Sequence, residues 1–146
     1  MHTIWDEGTR KDILVRFGRL TPQHKPQWGK MNPAQMMSHC TAPLCAAMGE
    51  TQVAGKKTIF RFPAIRYLII YKMPWPKSTP TAPEFIRDGP VDFESSHRAL
   101  VETLERFSAN HGKGLQPHPA FGALSQKDWG CLTWRHLDHH LTQFGL

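Results

Sequence analysis

The sequence has little with which to build a disulfide framework. Among its 146 residues there are only three cysteines, Cys40, Cys45 and Cys131. An odd count with no Cys-x-x-Cys spacing argues against a disulfide framework and fits a reducing cytoplasm. It also lacks long apolar runs. The most apolar stretch, Ile65 to Tyr71, contains Arg66 and is far too short to span a bilayer of about 20 helical residues. Met1 to Glu7 carries acids and no apolar h-region, so no secretory signal is read there. No nucleic-acid recognition motif is found. The formal charge is +6, with +3 over residues 1–49, +5 over 50–80, −3 over 81–110 and +1 over 111–146. The excess sits in the middle of the chain, among aromatics that belong to an apolar run. A solvated basic surface is the simpler account than a nucleic-acid face.

What is present is ordinary apolar content and enough length for one core, so a single domain over 1–146 is expected. Apolar spacing predicts a first helix from about Asp6 to Leu20, with Ile13, Leu14 and Phe17 on one face, ended by Thr21-Pro22. Thr9 with Asp12 offers a later alternative start. A second helix is strongly signalled. Asn32 is a good N-cap, Pro33 suits the first turn, Gln35 completes a capping box, and Met31/Met36 form a staple. It should reach about Met48, with Gly49 as its stop. Pro43 lies four residues after His39 and removes the donor for the His39 carbonyl, so a loosened turn is expected there.

Residues 50–90 are less regular. A short helix from Pro63 to about Lys72 is preferred over a strand. Pro74, Pro76, Pro80, Pro83 and Pro90 then make a long proline-rich connection. Asp92 opens an amphipathic helix with Phe93, His97, Leu100, Val101, Leu104 and Phe107 on one stripe, closed by Asn110 to Gly112. His97 reads as a core histidine. The last helix is capped by Ser125 with Asp128, and stapled by Leu124 and Trp129. The reading is therefore all-α.

The last helix also carries the chemistry. Trp134 to Gly145 holds three of the nine histidines within five residues. His136 and His140 are i,i+4 neighbours, with Cβ atoms about 5–6 Å apart on a helix. Two imidazoles so placed can grip one divalent ion, or can be a wet, titratable helix end. On a helical wheel His140 lies about 40° to one side of His136, and Trp129, Thr133 and Phe144 continue that inward face. His139 lies about 60° to the other side, towards solvent or a partner surface.

Trp28-Gly29-Lys30-Met31 followed by Gln35-Met36-Met37-Ser38-His39 resembles the second-helix entry of the DinB/YfiT-like superfamily. His118-Pro119-x-Phe121-Gly122, Trp129-Gly130 and His136 through Gly145 are similar to a domain-of-unknown-function branch of it. The resemblance covers nearly the whole chain and is weakest between residues 50 and 90. It implies a four-helix bundle that binds a divalent metal through His39, His136 and His140. Three neutral imidazoles leave the full double charge and an open coordination position, the catalytic rather than the structural pattern for zinc. Nickel and iron also suit imidazole. Water held there would be acidified and a thiol deprotonated. Characterised relatives include transferases acting with low-molecular-weight thiols, isomerases and hydrolases.

The expected function is thus a metal-dependent thiol S-transferase or hydrolase acting on a small molecule. The alternative is a non-catalytic, metal-stabilised homodimeric stress or interaction protein. No residue stands out as general base. Asp138 should point away from the metal, and Glu50 is a weak candidate. The cysteines read as structural, and His118 as a turn histidine that could instead reach the metal end.

Overall fold

A computed structural model of the chain describes residues 1–77 and 91–146. Five α-helices follow in order, α1 (Glu7–Arg19), α2 (Pro33–Ala47), α3 (Pro63–Tyr71), α4 (Phe93–Ala109) and α5 (Gln126–Gln143), with a 3-10 turn at Ile59–Arg61. The described residues contain no β-strand, so the all-α expectation is met. Pro80, Pro83 and Pro90 of the proline-rich connection lie outside the described residues.

Local chemistry sets the helix ends. Asp6 caps α1 by accepting from the Thr9 N–H at 2.7 Å, so the earlier of the two starts is the real one. α2 has the full Asn32/Gln35 capping box, with Pro33 in its first turn. It stops at Met48, where Gly49 takes φ +77°, a left-handed conformation natural only to glycine. α2 continues through Pro43 without a break in its assignment. Asp92 caps α4, and Ser125 and Asp128 form the box that opens α5.

Burial then pairs the helices. α2 lies along α4, α1 along α5, and α2 meets α5 over a shorter stretch. Between them Phe17, Met36, Met37, Leu104, Phe107, Leu137 and Leu141 form the main core. α3 packs on α5 over a satellite core of Ile70, Phe121, Cys131 and Leu132. Tyr67 and Leu68 of α3 are exposed, as are Ile59, Phe62 and Met73 in the segments that flank it. The α4 stripe is rotated slightly from the expected one. Ser96 and Thr103 are buried with Leu100, Leu104 and Phe107, while His97 is half-buried at the margin beside Phe93. No helix among the described residues is long and apolar enough to cross a membrane.

The N-terminal arm is fastened to α5. Ile4 is fully buried, and its N–H donates to the Gly130 carbonyl at 3.0 Å. The Trp5 indole donates to the Gln126 carbonyl at 2.6 Å and stacks on Phe107. A Cβ at Gly130 would collide with the Thr3 hydroxyl and the Trp5 ring, whereas one at Gly18 would meet nothing. Two substitutions of the same kind should therefore have opposite signs. Gly18→Ala should stabilise by about 0.5–1 kcal/mol through helix propensity. Gly130→Ala gains the same propensity but overpacks an anchored ring, for a net loss of about 1–2 kcal/mol. Urea midpoints for the two variants check this. A stabilising Gly130→Ala would mean that the arm is not held as described.

Candidate metal centre

His39 lies two turns into the well-capped α2, and His136 and His140 lie one turn apart on α5. The short α2–α5 contact brings them face to face. His39 and His136 point Nε2 at Nε2 across 2.9 Å. The three rings stand in mutual edge contacts, with centroids 4.7–4.8 Å apart. One nitrogen from each residue can be chosen so that no two are more than 4.8 Å apart. Around a tetrahedral ion with bonds of about 2.0–2.1 Å, ligand nitrogens stand roughly 3.3 Å apart. The observed separations bracket that value, and modest ring rotations close the difference.

The surroundings keep the two α5 rings neutral. His39 and His140 are buried, and His136 is half-buried. Burial holds His136 well below the usual imidazole range, and the neighbouring His140 and His39 rings add to the effect. Burial likewise pushes His140 down to about 3, with His39 contributing. At pH 7 both therefore carry a lone pair. Three converging imidazoles, two of them held neutral, are a donor set that divalent ions accept, so the residues fit a metal ion. Among the described residues no carboxylate or thiol joins the cluster. Behind His140, its Nδ1 lies 2.8 Å from Gln143 Oε1, and Gln143 Nε2 donates to the Trp28 carbonyl at 2.7 Å.

The chain matches the model of a family described as "protein of unknown function (DUF1569)" over residues 11–145. It belongs to the DUF1569 family. Comparisons with curated proteins and with solved structures find no match. The matched DUF1569 span contains all three histidines, α2 and α5.

The other candidates in this DUF1569 chain are engaged elsewhere. Asp138 points away from the cluster, as its helical phase requires, and pairs with Arg16 at 2.8 Å. Glu50 is paired with Arg106 at 3.1 Å. That arginine, more than its contact with Cys45, holds the Glu50 carboxyl below the usual range. Glu50 lies beyond the C-terminal end of α2, whereas His39 lies in the middle of that helix, and it does not join the histidine cluster. Burial raises the thiols of Cys40, Cys45 and Cys131, so none is a ready nucleophile. His118 turns inward on its own loop. Its Nδ1 accepts from the Ala120 and Phe121 N–H groups at 3.1 and 3.2 Å, and its ring packs on Trp129.

His139 does lie off the inward face, but it borders aromatic rings rather than open solvent. It is half-buried, with Trp28 and Trp75 centroids 5.7 and 5.9 Å away. These rings wall an open groove of about 330 Å³ along the outer side of α5, with Trp134, Arg135 and Thr142. Trp75 also lies 6.2 Å from the His136 ring. Sequence reasoning missed Gln143, Trp28 and Trp75 as neighbours of the site. Gln143 was within reach, since it is i+3 from His140. The tryptophans come from loops, whose approach no periodicity reports.

Proposed function

We propose that this protein is a DinB-like four-helix bundle of the metal-dependent kind, with His39, His136 and His140 as the ligands of a divalent ion, zinc foremost. The observation that carries the reading is the convergence of these three imidazoles from two separate helices. A bound ion would supply Lewis acidity at a coordination position that the three histidines leave open. The chain's own part is to hold that position against the core and to keep water from most of it. Two of the three rings are buried, and His136, beside Trp75, faces the margin.

Between the two reactions, transfer to a low-molecular-weight thiol is favoured over hydrolysis. No carboxylate among the described residues joins the histidines to act as general base. A thiol with a pKa near 8.5 needs far less help to ionise than water at 15.7. A second reading has one observation of its own. In and beside α3, the large apolar side chains of Ile59, Phe62, Tyr67, Leu68 and Met73 are exposed, and such surface suits a second copy of the chain, as in a metal-stabilised homodimeric interaction protein.

The test is turnover. Tag-free protein is stripped with chelator, reloaded with zinc, nickel or ferrous iron, and assayed against thiols paired with electrophiles and against esters. Activity should vanish on stripping and return with the ion. Metal-loaded protein that turns over nothing, yet loses its fold or its dimer on chelation, would establish the second reading instead.

A further inference from the structure

Gln143 is buried, 3% exposed, and both ends of its amide are used. Its Nε2 lies 2.7 Å from the Trp28 carbonyl, and its Oε1 lies 2.8 Å from His140 Nδ1. A backbone carbonyl can only accept. The end facing Trp28 must therefore be the NH₂, and the end facing His140 must be the oxygen. That oxygen also only accepts, so His140 must carry its proton on Nδ1. A neutral imidazole has one proton, which leaves Nε2 of His140 as the bare lone pair.

The loop that supplies the Trp28 carbonyl is itself tied down. The Gln27 N–H donates to the Gln143 carbonyl at 2.7 Å. Gly29 has φ +79°, and a Cβ there would stand 2.6 Å from Gln143 Nε2. The Trp28-Gly29 pair and Gln143, more than a hundred residues apart, thus form one unit.

We propose that Gln143, locked by Trp28 and Gly29, is a positioning residue that fixes the tautomer and ring direction of His140, so that Nε2 is the atom offered to the metal. This rests on the metal reading above for its purpose, but its geometry stands apart from it. Outer partners of this sort hold ligand imidazoles in other metal sites, and their loss typically costs about 10–100-fold in metal affinity.

Two measurements test it on tag-free, full-length protein. Long-range ¹H–¹⁵N NMR on metal-stripped protein reads the His140 tautomer. Chelator competition reads the zinc dissociation constant. Wild-type protein should show the Nδ1–H form. Gln143→Leu should lose that single tautomer and bind zinc about 10–100-fold more weakly. Gln143→Glu keeps an acceptor for His140 but loses the donor to the Trp28 carbonyl, so it should keep the Nδ1–H form while recovering only part of the affinity. Gly29→Ala touches no histidine, yet should shift both readouts in the direction of Gln143→Leu. If Gln143→Leu fails to fold, Gly29→Ala and Gln143→Glu decide. An Nε2–H tautomer in the wild type, or variants that leave tautomer and zinc affinity unchanged, would overturn the proposal. Wild-type protein with the Nδ1–H tautomer but no zinc affinity would overturn the metal reading and leave the positioning role standing.

Discussion

Alanine at His136 or at His140 should lower zinc affinity by well over 100-fold, beyond the roughly 10–100-fold that loss of an outer partner costs. In the proposed site each supplies one of only three protein ligands, and no other carboxylate, thiol or imidazole among the described residues joins the cluster. His39→Ala should do the same from the opposite helix. His139→Ala provides the contrast. Its ring touches the His140 ring at 5.3 Å but faces Trp28 and Trp75. It should keep full stoichiometry, with affinity within about tenfold of wild type. Metal content after dialysis against a weak chelator separates the four variants. A His139→Ala protein that is empty beside a His140→Ala protein that is loaded would reverse the assignment of ligands.

The metal-stripped protein should be acid-labile. Histidine in an unfolded chain titrates near 6.5. In the folded protein burial lowers His118 to about 4 and His140 to about 3, and His136 lies well below its usual value. Between pH 6.5 and these values the unfolded chain binds protons that the folded chain does not. The stability these groups contribute is therefore fully present above pH 6.5 and is lost as pH falls through the folded values. Each group changes the balance by up to about 1.4 kcal/mol per pH unit. His118 and His140 over two units amount to a few kcal/mol, with His136 acting in the same direction, a sizeable part of the roughly 5–15 kcal/mol that holds a domain together. Urea midpoints at pH 7 and pH 4.5 should differ accordingly. Equal midpoints would show that the rings are hydrated or already charged. Saturating zinc should protect near neutrality and lose its hold as protons compete for the same lone pairs.

The helix ends were legible because capping is local. Asn32 with Gln35 and Ser125 with Asp128 are each separated by three residues, and no distant contact is needed to read them. The inward phase of His136 and His140 was equally legible, since a helix repeats every 3.6 residues. His39 was different. Its partner His136 is 97 residues away, and only the family resemblance joined them before the fold did. The role of Trp28 was hidden because it acts through its backbone carbonyl, which every residue has. The apolar run in α3 was read for its helix, but the exposure of Tyr67 and Leu68 was not foreseen. Only Ile70 of that helix is fully inside, with Ile69 and Tyr71 packed at the edge of the satellite core.

The 97-residue separation between His39 and His136 also has a consequence for biosynthesis. At about 5–20 residues per second, a ribosome places His136 some 5–20 seconds after His39. A nascent chain that has released α1 to α4 owns one imidazole of the three, and a single imidazole does not retain an ion against cellular buffers. An ion at the proposed site would therefore not template the early fold. Pairing of α2 with α4 would proceed without it, and loading would wait until the last helix has docked.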